Sequence, residues 1–321
     1  MTTDTIIGSK LPPHRGPETY FGSGRAAFSY LIGERIRPRR VWLPTFVCWS
    51  LVSAMERRFP EIDLRFYSVA PDLTCHYPDS LDTGEALVFV HYFGYENTTP
   101  LPPSRGTILE DLSHAWLSRL QLRGDVAFGS YRKLVKVVDG GFVRGAHNPV
   151  YEASRKLDSW LRLEATDWRD VREAENMMDR DWALCDISGQ SLAVLLTVDR
   201  AVVSARRQAN ERVLADTFPA GTAMGTFAGH EVPMIHNRLL PSTEERDSLR
   251  SFLAERSIYT SIHWPTHPRV LAAQDRVDIT GARWLEDHIL SVPIAEDYDA
   301  SDMHRVVRAA EAWQRAGGGG S

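Results

Sequence analysis

Apolar and polar positions alternate along the first half of the chain in two rhythms. Ala86 to His91 is an unbroken apolar run, the pattern of a strand buried on both faces, and Thr107 to Glu110 repeats it. Arg40 to Leu43 (stopped by Pro44), Ile62 to Val69, Asp125 to Tyr131 and Gly141 to Arg144 read as further strands. Between them, Gly24 to Glu34 follows a glycine-rich turn and reads as a helix. Trp49 to Phe59 carries Leu51, Val52, Met55 and Phe59 at helical spacing. Strands alternating with helices predict an α/β layered sheet.

The pattern changes after Arg144. Val150 to Phe218 is mostly helical, with Trp160, Trp168 and Trp182 marking amphipathic faces. Phe218-Pro219-Ala220-Gly221 marks a boundary. Beyond it Val232 to Leu240 is strand-like, Ser242 with Glu245 opens a helix running to about Arg256, and Ile289 to Val292 is a short strand. Ser301 is expected to cap a last helix ending near Arg315. The expected division is a large α/β domain with a helical extension over 1–218 and a small α+β domain over 219–316. The tail at 317–321 reads as an engineered linker. No internal repeat is visible.

Composition narrows the function. The 321 residues are 43% hydrophobic and 25% charged, with a net charge of −5. A soluble globular protein is expected, with no basic field to hold nucleic acid. Neither a signal peptide nor a membrane span is indicated. The three cysteines, Cys48, Cys75 and Cys185, are too scattered for a disulfide framework or a zinc site, which points to a reducing cytoplasm and no metal.

The chemistry gathers in two segments. Gly124 to Gly141 holds Ser130, Lys133, Lys136 and the turn Asp139-Gly140-Gly141. Upstream, Ile108 to His114 is an apolar strand that ends in acids and an imidazole. An amine that forms an imine, an acid that holds a pyridinium proton and a hydroxyl that meets phosphate are what pyridoxal phosphate asks of a protein. Lys133 follows an apolar strand, where its side chain can enter a cleft at the strand's carboxyl end. The alternative places Lys133 and Lys136 on a solvated loop. Glu110 and Asp111 point to opposite faces, so one acid reaches the cleft, and Asp111 is the choice. His114 is placed to meet the cofactor's ring hydroxyl, with a buried structural histidine as the alternative. Phe21 to Ala27 sets Gly22, Ser23, Gly24 and Arg25 at a helix start, where backbone amides receive phosphate. No Gly-x-Gly-x-x-Gly follows a first strand, which argues against a nicotinamide enzyme.

These segments, in this order, resemble the DegT/DnrJ/EryC1/StrS family of pyridoxal-phosphate-dependent aminotransferases. The likeness runs through Gly22-Ser23-Gly24-Arg25-Ala26, Leu43 to Cys48, His91-Tyr92-Phe93-Gly94, Glu110 to His114, Ser130 to Gly141 and Ile258 to His267. The resemblance implies fold type I: a mostly parallel central sheet with flanking helices plus a small C-terminal α+β domain. It implies Lys133 as the imine lysine, with Lys136 as rival, and Asp111 and His114 beside it. Ser23, Gly24, Arg25, Cys48, Trp49 and Ser130 complete the cofactor site, and His91, His263, Trp264 and His267 face the substrate. It also implies a homodimer. The reaction would pass an amino group from an amino donor such as glutamate to a keto sugar acceptor, nucleotide-linked. A lyase, racemase or dehydratase on the same scaffold, or a non-catalytic ligand-binding homologue, is the alternative. The interval from Ser130 to Lys133 is shorter than in many members, and the family's glycine–asparagine–arginine stretch is not evident in Val150 to Ser188.

Overall fold

Burial on both faces makes the apolar runs into the centre of one large sheet. The computed structural model describes residues 18–144 and 186–318. Its first sheet contains β1 (Glu18–Phe21), β2 (Arg40–Pro44), β3 (Asp63–Val69), β4 (Cys75–His76), β5 (Glu85–Val90), β6 (Thr107–Asp111), β7 (Val126–Ser130) and β8 (Gly141–Arg144). They lie in the order β1-β8-β7-β6-β5-β2-β3-β4. From β7 across to β3 the neighbours are parallel, while β1, β8 and β4 pair antiparallel at the margins. The fold is therefore the mostly parallel α/β sheet expected. Pro44 is the last residue of β2 rather than a stop before its end.

The pleat divides the core. Val88 packs with Phe28, Leu51 and Met55 from helices α1 (Gly24–Tyr30) and α2 (Trp49–Arg58) on one face. Leu87 and Phe89 join Trp116, Tyr131 and Phe142 on the other. The predicted helix over 24–34 is α for its first seven residues and then widens into a π-helical turn, Leu31–Ile36. The chain order reverses between β2 and β5. Ligands of open α/β sheets sit at such a reversal, outside the carboxyl ends of the strands.

Strand β1 was not anticipated. Buried Glu18 holds it in place. Its carboxylate pairs with Arg144 and accepts from Trp116 Nε1 at 3.2 Å and Tyr131 Oη at 3.0 Å. A buried charge is tolerated when it is paired and hydrogen-bonded in this way.

Among the described residues after 186, helices α3 (Gly189–Thr197) and α4 (Arg200–Thr217) lead to a three-stranded sheet. Its strands are β9 (Thr222–Ala223), β10 (Ile235–Leu239) and β11 (Ile289–Pro293), in the order β11-β10-β9. Helices α5 (Thr243–Ala254), α6 (Pro268–Leu271), α7 (Thr280–His288) and α8 (Ala300–Arg315) complete this part. Leu214, Leu249, Leu290, Val292, Ala310 and Trp313 belong to a third apolar cluster.

Ser242 caps α5 by accepting from Glu245 N, as the sequence suggests. The cap of α8 is Asp299, not Ser301. Asp299 accepts from the amides of Ser301 and Asp302, and the Asp302 carboxylate accepts Asp299 N in return. A reciprocal box satisfies more of the free amides at a helix start than a lone serine hydroxyl does. The helical stretch with Trp160, Trp168 and Trp182, together with Cys185, lies outside the described residues.

Candidate active site

Three adjacent parallel strands deliver the site. β5, β6 and β7 end at Val90, Asp111 and Ser130, and the turns after them carry Phe93, His114 and Lys133. The contact that defines the site is Lys133 Nζ to His114 Nε2, at 2.9 Å. His114 is buried, whereas Lys133 keeps some exposure. Lys136, the sequence's rival, points to solvent with 84% of its side chain exposed and pairs with Asp297 at 3.1 Å. A solvated ion pair of that kind leaves no amine for a cleft.

Asp111 closes β6 and is buried, with Oδ1 accepting Ser113 N at 2.8 Å. Burial pushes its carboxyl up, against the hydrogen bond from Ser113 and the proximity of Lys133, which pull the other way. A carboxylate in that position favours a cationic N–H partner. Glu110 faces away, as alternation requires. Burial raises its carboxyl, but the hydrogen bonds from His91 and from the amides of Gly124 and Arg123 outweigh this and hold it below the usual range.

The ring of His114 stacks on Phe93 and on Trp264, with centroids 5.5 and 5.4 Å away. Lys133 Nζ lies 5.9 Å from the Trp264 ring. His263 stands edge-on to Phe93 and bonds Ser291 Oγ through Nδ1 at 2.9 Å. Ser291 in turn donates to Asn237 Oδ1 at 2.6 Å. Burial, then the nearby Lys133, lowers the His263 pKa to about 3.

A second group surrounds the turn before α1. Ser23 caps α1 by accepting Ala26 N at 3.1 Å. Gly24 lies so close to β7 that a Cβ there would be 3.2 Å from Ser130 Cβ. Gly140 donates to Gly22 O at 2.8 Å, binding the end of the β7–β8 connection to the same turn. Ser23, Gly24 and Ser130 are thus neighbours. Asp139 anchors this connection to α3, accepting from Ser188 N and Oγ at 2.9 and 2.8 Å.

Other sequence candidates lie elsewhere or have other partners. His91 is fully buried. It accepts Asn97 N at Nδ1 and meets Glu110 at Nε2, so both ring nitrogens are engaged within the protein. Trp49 is 43% exposed, donates to Pro265 O and packs edge-on against His267. His267 caps α6 by accepting Arg269 N. Cys48 is the N-cap residue of α2, and its Sγ accepts from Ser50 Oγ at 3.2 Å. The hydrogen bonds of these four described above are to residues other than Lys133. Phe93 was missed by the sequence reading. Its contribution is a backbone amide and a stacked ring in a positive-φ conformation, which no residue-type pattern announces. Among the described residues there is no cluster of three or more His, Cys, Asp or Glu that could hold a metal ion.

No family model and no curated protein matches this chain. Solved structures do. An aminotransferase, TlmJ, from Streptoalloteichus hindustanus superposes with a TM-score of 0.65 at 17% identity, over 95% of this chain and 87% of that one. PseC from Helicobacter pylori, an aminotransferase of pseudoaminic acid biosynthesis, gives 0.64 at 11% identity, over 93% and 87%. A DegT DnrJ EryC1 StrS aminotransferase from Brucella abortus gives 0.60 at 14% identity, over 97% and 91%. The chain has the fold of these aminotransferases. At such identities the likeness concerns the path of the backbone, and the chemistry has to be argued from the side chains above.

Proposed function

We propose that the chain is a pyridoxal-phosphate-dependent aminotransferase. It takes an amino group from an amino acid such as glutamate and delivers it to a keto sugar, nucleotide-linked, as a cytoplasmic homodimer. The observation that carries the reading is the half-buried Lys133 amine, 2.9 Å from His114 and next to the strand end that bears Asp111. The fold supports it, because sugar aminotransferases share this chain path; a putative sugar aminotransferase from Streptococcus pneumoniae, in its pyridoxamine-phosphate form, matches at a TM-score of 0.62 and 14% identity, over 94% of this chain and 88% of that one. Dimer and location rest on the family resemblance. The division at 218/219 rests on the sequence pattern; the third apolar cluster joins Leu214 and Phe218, before it, to Leu249, Leu290 and Trp313 after it.

The residues fit the cofactor. Asp111 would face the ring nitrogen and keep it protonated, because a buried carboxylate favours a cationic N–H beside it. His114 would meet the ring hydroxyl. Ser23, Gly24, Arg25 and Ser130 would hold the phosphate at the junction of α1 and β7. Bound there, pyridoxal phosphate supplies an electron-withdrawing ring that stabilises charge developing on a neighbouring carbon. Lys133 would hold the cofactor through Nζ, and the same nitrogen would serve as the base that takes up and returns a proton on the substrate side. His263 and Trp264 wall the substrate side.

A single-substrate half-reaction tests the assignment. Glutamate alone, added to the cofactor-loaded protein, should turn the cofactor into its pyridoxamine form. Retention of the aldehyde form with a panel of amino donors, while the cofactor stays bound, would reject transamination.

A further inference from the structure

Both ring nitrogens of His114 are committed, and their partners decide where its proton sits. The backbone amide of Phe93 donates to Nδ1 at 3.1 Å. An N–H meets a lone pair, so Nδ1 is bare. Burial pushes the imidazole well below its ordinary range, so the ring is neutral. A neutral ring with bare Nδ1 carries its proton on Nε2. Nε2 lies 2.9 Å from Lys133 Nζ. We infer that Phe93, acting through its backbone amide as a positioning residue, fixes His114 as an N–H donor at Nε2 and so holds the Lys133 nitrogen as a hydrogen-bond acceptor, the form that attacks a carbonyl carbon. This rests on the reading of Lys133 as the cofactor-binding amine.

The geometry at Phe93 is unusual and serves this contact. Phe93 has φ 57 and ψ 9, a left-handed conformation unfavourable for a residue with a Cβ. Its neighbours impose it. Phe93 O accepts Met234 N at 2.8 Å. Gly94, at φ 106, packs so tightly on the Val232 carbonyl that a Cβ would not fit. The Phe93 and Trp264 rings both stack on the imidazole. Three titratable groups face the amine. They are the Asp111 carboxyl, the His114 imidazole with Nε2–H toward the amine, and the neutral His263.

Two measurements on the cofactor-free protein test this. The first is the long-range proton–nitrogen spectrum of histidine side chains, with His114 assigned by its loss in His114→Gln. The expected pattern is a neutral ring protonated at Nε2 from pH 6 to 8. An Nδ1–H ring, or an imidazolium in that range, overturns the inference. The second uses the small lysine count: Lys10, Lys133, Lys136 and Lys156 are the only lysines. Glycolaldehyde with cyanoborohydride at pH 7 alkylates each at a rate readable by mass spectrometry, with Lys136 as internal reference. His114→Gln offers a carbonyl to the Phe93 amide and an N–H to the amine, and should keep the Lys133 rate within about twofold. His114→Glu offers only acceptors and should slow it about tenfold. Equal rates in the two variants overturn the inference. Neither measurement uses the cofactor. A protein that passes both but never couples pyridoxal phosphate to Lys133 therefore refutes the proposed function and leaves the histidine assignment standing.

Discussion

Gly141→Ala links packing to the site in one substitution. Gly141 opens β8 directly against the turn before α1. A Cβ there would fall well inside 3.0 Å of the Ser23 carbonyl carbon and oxygen and of the Gly24 nitrogen, all of them backbone atoms that cannot rotate aside. Restoring ordinary contact takes a shift of about an ångström in one of the two segments. Overpacking of this size costs about 1–3 kcal/mol, which corresponds to a drop of about 1.5–4.5 °C in melting temperature for a chain this long. The shift has a direction. It moves Ser23 and Gly24 relative to Ser130, the residues assigned to the phosphate. Loss of one charge-assisted hydrogen bond there should weaken cofactor binding about tenfold. Circular dichroism melts and a cofactor titration measure the two effects. Gly189→Ala is the matched control: Gly189 is exposed at the start of α3 with nothing within 4 Å of its added Cβ. It should be neutral or stabilising by up to about 1 kcal/mol. If Gly141→Ala melts and binds cofactor like the wild type, the packing of β8 on the turn before α1 does not position the phosphate site.

Three further outcomes are expected. Glu18→Ala strands the buried Arg144 guanidinium and should cost about 3–5 kcal/mol by denaturant unfolding, whereas an unpaired surface charge would cost almost nothing. His263 has a pKa lowered to about 3, so between that value and the unfolded value near 6.5 the unfolded chain binds a proton that the folded chain does not. Its contribution to stability is complete above pH 6.5 and shrinks as pH falls, by about 1.4 kcal/mol at pH 5.5, and His263→Gln should remove that part of the slope. Asp139→Ala frees Ser188 and should release the start of α3, seen as a loss of about 1–3 kcal/mol and faster amide exchange over 188–192.

The residues that were legible in the sequence act through their own chemistry and strand position. Ala86 to Val90 could only be a strand buried on two faces. The step from Glu110 to Asp111 placed one carboxyl on each side of the sheet by alternation alone. The family pattern favoured Lys133, with Lys136 as rival; the loop after β7 turns Lys133 inward and leaves Lys136 paired with Asp297. What stayed hidden acts through the backbone or across long separations. Phe93 contributes an amide and a left-handed turn set by contacts with Val232 and Met234, more than a hundred residues on. Glu18 makes an edge strand out of an undistinguished segment because Trp116, Tyr131 and Arg144 converge on it. His91 reads as a site histidine next to a glycine turn, yet Asn97 and Glu110 use both of its nitrogens within the core. Asp299 outcompeted Ser301 as a cap because Asp302 was placed to return the bond.

The central claim concerns one amine. Pyridoxal phosphate added to the purified chain, reduced with borohydride and traced by peptide mass spectrometry, should be found on Lys133, lost in Lys133→Ala and retained in Lys136→Ala. Label on Lys136, or on no lysine at saturating cofactor, would contradict the account.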